Sequence, residues 1–200
     1  RWSFYITSFK MSFVNLNDQA ENSKNSKNTD KKNLISGIFR IKTRNLNFDM
    51  LTINSDDSSI VNRFWDDNYF DYTLEKWCEW CKQEGIYIDV GAHTGFYTIS
   101  ALVCNSKNHI ISIEPFPLNF HRIITNLRLN NFNNKNATLF NVAASDTDKQ
   151  VKFDNNTSQY WSYLSKGGKI SDKGKDIKAI KLDSINFINN KIDLKGIKID

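Results

Sequence analysis

Proline and glycine are both scarce in this chain, with two of the first and eight of the second among 200 residues. Abundant Asn, Lys and Ile accompany that shortage, which reflects AT-rich codon usage and carries no functional message. No apolar run approaches the roughly 20 residues that span a bilayer, so no membrane-spanning helix is expected. The aromatic start "RWSFYITSFKMSFV" is interrupted by Lys10, and no small-residue cleavage pattern follows it, so it does not read as a signal peptide. The chain begins at Arg1, and Met11 is a candidate start. Three cysteines without an export signal point to a reducing, cytoplasmic setting. Disorder is excluded by 40% hydrophobic and 13% aromatic content, and the length suits one domain with a substantial core.

The formal charge of +5 is unevenly spread. Residues 1–44 hold nine basic and three acidic side chains, and residues 166–181 hold six and two. Residues 45–165 reverse the balance, with nine basic against fourteen acidic. A nucleic-acid binder concentrates basic residues around its working surface. Here the middle section is acidic, so no nucleic-acid partner is expected. The lysine-rich 166–181 stretch reads as a solvated loop, with attraction of an anionic acceptor as the sharper alternative.

Cys78-Glu79-Trp80-Cys81 is a C-x-x-C, a spacing used by redox pairs and zinc sites. Leu74, Trp77, Cys78 and Cys81 also fall at i, i+3, i+4 and i+7, which is one apolar stripe of a helix. A zinc ion needs two further ligands, and neither Cys104 nor the three histidines offer a matching spacing. The core reading is preferred, and no metal is expected.

Residues 15–33, "NLNDQAENSKNSKNTDKKN", read as a polar linker. "SGIFRIK" and "FDMLTIN" predict a hairpin, and "DYTLEKWCEWCKQ" predicts a helix stopped by Gly85. An alternation then sets in: strand 86–90, helix 95–104, strand 109–114, helix from Pro117 to about Asn131, strand 137–144. The second helix places Phe120, Ile123, Ile124 and Leu127 on its apolar stripe. Further on, "VKF" and "YWSYL" are short strand candidates, and "DIKAIKL" either rejoins the sheet or caps it. "DSINFINN" predicts a short helix and "LKGIKID" a last strand. The pattern predicts an α/β, doubly wound, mainly parallel sheet. The division expected is a flexible segment 1–36, a hairpin and helix extension 37–84, and a main domain 85–200.

Two of the few glycines stand four apart in "YIDVGAHTGFYTI", directly after the first strand of this alternation. Ligands of open parallel sheets bind beyond the carboxyl ends of the strands, where strand order reverses. The dinucleotide fingerprint G-x-G-x-x-G has His93 in place of its second glycine, the one that admits a pyrophosphate. Asp89, Gly91 and Gly95 suit instead a nucleoside ligand without phosphates. Glu114 ends the next strand, where an acid can accept hydrogen bonds from both ribose hydroxyls.

"IDVGAHTGFYTI", "ISIEPFPLNFHRIITNLRLNN", "NVAASDTDKQVKF" and "LDSI…IDLKGIKID" together resemble the successive blocks of the FkbM-type methyltransferases, from about Gly37 to Asp200. The resemblance implies a Rossmann-like class I fold, S-adenosylmethionine as cofactor, and O-methylation of a small-molecule or glycan hydroxyl, such as that of a sugar. It further implies cofactor contacts from Asp89 and the turn Gly91, Ala92, His93, Thr94 and Gly95, and from Glu114, Pro115 and Phe116. Asn141, Val142 and Ala143 match the block near the adenine. Family members often carry Asn where this chain has His93. The family pattern continues "IDVEG", whereas this chain ends at Asp200, so a sheet incomplete at its C-terminus is expected. Asp200, at the end of the fourth strand, is the candidate catalytic base, and His93 is read as orienting the turn. His109 and His121 receive no role. The rival readings are an NAD-type oxidoreductase and a non-catalytic cofactor-binding fragment.

Overall fold

The structure, a computed structural model, describes residues 35–43, 46–66, 69–154, 169–170, 172–185 and 194–200. The expected hairpin is present as β1 (Gly37–Lys42) and β2 (Asn47–Thr52), paired antiparallel with Ile41 opposite Phe48. Alternation along β2 turns Phe48, Met50 and Thr52 inward. A helix not anticipated from the sequence follows, α1 (Ser58–Trp65). Eight residues make little more than two turns, too few for an apolar period to stand out. Its start is nonetheless written in Asp57, whose carboxylate accepts from the backbone N–H groups of Ser59 and Ile60.

α2 (Tyr72–Cys81) starts in the same way from Asp71, which caps Leu74 N at 3.0 Å. It ends at Cys81, short of Gly85. Its predicted stripe of Leu74, Trp77, Cys78 and Cys81 is buried. A hydrogen bond with Cys104 and then burial push the Cys78 thiol up, and burial pushes up that of Cys81. Both therefore remain protonated core side chains. Among the described residues no group of three His, Cys, Asp or Glu side chains is arranged to hold a metal.

The main sheet contains β3 (Ile86–Val90), β4 (His109–Ile113), β5 (Ala137–Phe140) and, from the last residues, β10 (Leu194–Ile199), all parallel. Their order is β5-β4-β3-β10. The chain steps outward from β3 and then returns to its other side, so strand order reverses between β3 and β10. This is the Rossmann-like α/β arrangement that the alternation predicts. β3 and β4 are isoleucine-rich because both of their faces are covered. Tyr87 and Ile110 pack with Phe48 and Met50 of the hairpin, with Phe96, Ile99 and Leu102 of α3 (Phe96–Cys104) and with Ile123 of α4 (Pro117–Leu129). On the opposite face Ile88, Val90, Ile111 and Ile113 meet Ile180 and Ile185.

The predicted third strand, 137–144, divides. β5 stops at Phe140, and Ala143–Ser145 becomes β6 of a second sheet with β7 (Lys149–Asp154), β8 (Lys169–Ile170) and β9 (Lys175–Lys181), in the order β6-β9-β7-β8. The switch falls at Asn141, whose side-chain amide donates to Glu114 O and Pro115 O where the ladder to β4 ends. "DIKAIKL" thus joins the second sheet and not the main one. A single 3-10 turn, Leu182–Ser184, occupies the start of the predicted helix at 183–190. Residues 186–190 of that helix, the strand candidate "YWSYL" and the linker 15–33 lie outside the described residues. α4 buries Asn119, Ile123, Asn126 and Leu127, a face rotated from the apolar stripe, and Phe120 and Ile124 are only half-buried. No helix among the described residues is long and apolar enough to cross a membrane.

Candidate functional site

The turn after β3 is built from backbone angles that side chains disfavour. φ is +74° at Gly91, +52° at His93 and +89° at Gly95, which caps α3 without a side-chain bond. Gly91 N and Ala92 N both donate to Ile113 O, at 2.9 and 3.0 Å, which folds the turn over the end of β4. The two glycines open space to different neighbours. A Cβ on Gly91 would lie 3.3 Å from Asp200 Cβ, and one on Gly95 would lie 3.2 Å from Ile123 Cγ2. The second glycine thus admits α4, and the first brings the end of β10 against the turn.

Glu114 follows β4 and closes the same crevice from the other side. It is buried; its Oε2 accepts the His93 N–H at 2.8 Å and its Oε1 the Phe116 N–H at 2.9 Å. Burial pushes its pKa above the usual carboxylate range, with those bonds and Asn119 pulling the other way. Pro115 and Phe116 lead into α4, where Phe116 is the N-cap residue. Asn141 reaches back to the carbonyls of Glu114 and Pro115 at 2.8 and 3.1 Å. One hydrogen-bonded constellation therefore gathers the glycine turn, Glu114, Pro115, Phe116 and Asn141.

The other sequence-predicted positions stand within the turn, beside it or beneath it. Ala92 is buried in the main core. Val142 packs under Ile113 and its neighbours. Ala143 is buried with Val151 and Ala179 in the second sheet. Asp89 lies beneath α3, fully buried, with Oδ2 accepting from Thr98 Oγ1 at 2.8 Å. Its Oδ1 makes no hydrogen bond and faces Lys198 Nζ at 3.5 Å. Burial raises the Asp89 pKa, against the pull of Lys198 and Thr98. Lys198 also reaches Asp200 Oδ2 at 2.7 Å and stands 4.4 Å above the Tyr97 ring. Asp200 itself is exposed beside Gly91, its N–H bonded to Val90 O. His109 bonds Lys135 O and Thr138 Oγ1 and has no part in the crevice.

Three residues of this region escape sequence reasoning. Asp57, buried at the start of α1, accepts from Thr94 Oγ1 and stands 3.5 Å from His93 Nδ1. Burial pushes its carboxyl up, but His93, Thr94 and Ser59 outweigh that and hold it below the usual range. Asn126 donates to Thr94 O and accepts from Leu51 N, both at 2.8 Å. Lys198 is the third, and the alternation of "LKGIKID" gives it no distinguishing mark. Asp57 alone left a signal, as a helix cap preceding Ser-Ser and an apolar pair.

Both Glu114 oxygens accept a backbone N–H, and Asn119 adds a further bond to the carboxylate. The place a side chain would take at Gly91 is filled by Asp200. A family profile, Methyltransferase FkbM domain, matches residues 89–200. Among solved structures, a precorrin-6y C5,15-methyltransferase from Geobacter metallireducens is similar at 22% identity and a TM-score of 0.29, over 34% of this chain and 36% of that one. A SAM-dependent methyltransferase from Agrobacterium tumefaciens gives 8% and 0.40, over 56% and 34%. TYW2 of M. jannaschii in complex with AdoMet gives 18% and 0.35, over 55% and 46%. The chain spans less than half the length of each of these. Among curated proteins nothing matches.

Proposed function

The chain belongs to the FkbM methyltransferase domain family, and on that premise we propose that its crevice binds S-adenosylmethionine and that the protein methylates a hydroxyl of a sugar or glycan-related acceptor. The observation that carries this reading is the 2.8 Å bond from the His93 N–H to Glu114 Oε2, which makes the glycine turn and the acid two walls of one site. When bound, the cofactor supplies a methyl group on a sulfonium, already activated for in-line displacement. Glu114 holds the ribose hydroxyls, and the left-handed turn at Gly91 and His93 lies against the amino-acid portion. Asp200, kept at the mouth by Lys198, accepts a hydrogen bond from the acceptor hydroxyl and takes its proton. Alignment of the acceptor with the methyl group is the source of most of the acceleration expected here.

Isothermal titration with S-adenosylhomocysteine tests the cofactor. Wild type is expected to bind it and to ignore NAD. Glu114→Gln is expected to bind about tenfold more weakly or worse, the loss of charged hydrogen bonds to a ligand. Equal binding by the variant, or a preference for NAD, sinks the reading. Transfer of labelled methyl to a panel of sugars and glycans tests the acceptor, and transfer only to non-hydroxyl acceptors overturns that part.

A further inference from the structure

Asp57 precedes the matched span 89–200, yet its carboxylate reaches the glycine turn. Its two oxygens divide the work. Oδ1 caps α1, accepting from Ser59 N at 2.8 Å and Ile60 N at 3.3 Å. A serine hydroxyl can do as much for a helix. Oδ2 serves the turn, accepting from Thr94 Oγ1 and facing His93 Nδ1 at 3.5 Å. The residue is only 3% exposed, so this interaction is little screened by water.

His93 is thereby held by two acids from different elements. Glu114, after β4, takes its backbone N–H, and Asp57, at the head of α1, faces its imidazole. The hold matters because φ at His93 is +52°, a left-handed conformation that side chains disfavour. The dinucleotide fingerprint places a glycine here, which needs no such support.

We propose that Asp57 is a positioning residue of the cofactor turn. Its carboxylate latches the His93 imidazole and the Thr94 hydroxyl, and so keeps the left-handed turn in the shape that presents Glu114 to the ligand. The latch rests on the reading of this crevice as an S-adenosylmethionine site. It makes the segment before the family domain a participant in binding.

Asp57→Ser keeps a capping oxygen and is too short to reach His93. Wild type, Asp57→Ser, His93→Asn and the double variant are titrated with S-adenosylhomocysteine and melted without ligand. Asp57→Ser is expected to weaken binding about tenfold, and the double variant is expected to bind no more weakly than Asp57→Ser alone. Wild-type affinity in Asp57→Ser, or additive losses in the double variant, overturns the proposal. If Asp57→Ser does not fold, Asp57→Asn replaces it in the same cycle, with the same deciding outcomes. If wild type fails to bind S-adenosylhomocysteine, the cofactor reading falls. The melting temperatures then decide the latch separately, and additive shifts overturn it.

Discussion

Lys198 is a cation with little water around it: 9% of its side chain is exposed, and Asp89, Asp200 and the Tyr97 ring surround its ammonium. Asp89 depends on it, since burial already disfavours the carboxylate and Thr98 supplies a single hydrogen bond. Lys198→Met leaves that charge buried and unpaired, at a cost of about 3–5 kcal/mol. The sign with pH follows from Asp89. Its folded pKa is raised above the ordinary 3.8, so its contribution to stability is complete below that value and declines as pH rises through the folded pKa. Without Lys198 the folded pKa rises further. Urea unfolding at pH 4.5 and 7.5 is therefore expected to show a larger deficit for Lys198→Met at the higher pH. A deficit independent of pH contradicts the pairing.

At the level of elements, α4 does more than cover the sheet. Its buried face carries two asparagines among the apolar residues, and both are used. Asn119 helps to hold the Glu114 carboxylate. Asn126 bridges β2 and the glycine turn, and Asn130 one turn later pairs with both the N–H and the C=O of Asp49. The hairpin edge thus satisfies its backbone through side chains of a helix. Asn126→Ala leaves the Leu51 N–H and the Thr94 C=O without these partners, a loss of roughly 2–6 kcal/mol from two orphaned groups. A lower melting temperature with weakened S-adenosylhomocysteine binding is expected, because one of the two groups belongs to the turn. Weakened stability with unchanged affinity separates the two roles and counts against the second.

For the whole molecule, the extension and the sheet share one core. Phe48, Met50, Ile60, Leu74 and Trp77, all before residue 85, are buried with Phe96, Ile99 and Leu102 of α3. Burying five such side chains is worth roughly 7–15 kcal/mol, as much as the whole net stability of an ordinary domain, about 5–15 kcal/mol. A chain starting at Gly85 is expected to lose cooperative thermal unfolding, measured by circular dichroism. A sharp melt for that shortened chain shows that the extension is dispensable.

Local order fixed much of this in advance. The β-branched runs at 86–90 and 109–113, the glycine spacing at 91 and 95 and the acid at 114 each follow from neighbours in sequence, so the strands, the turn and the acid at the end of β4 were legible from residues alone. The stripe of α2 was legible for the same reason. What packing decided has no local signature. The break of the third strand at Asn141 depends on carbonyls offered by residues 114 and 115, and the burial of Asn119 and Asn126 depends on which groups lie opposite α4. The pairing of Lys198 with Asp89 comes from strand register, and the reach of Asp57 to His93 from the docking of α1. Periodicity reports which face of an element avoids water; partners distant in sequence, chosen when the layers close, determine what its buried polar groups do.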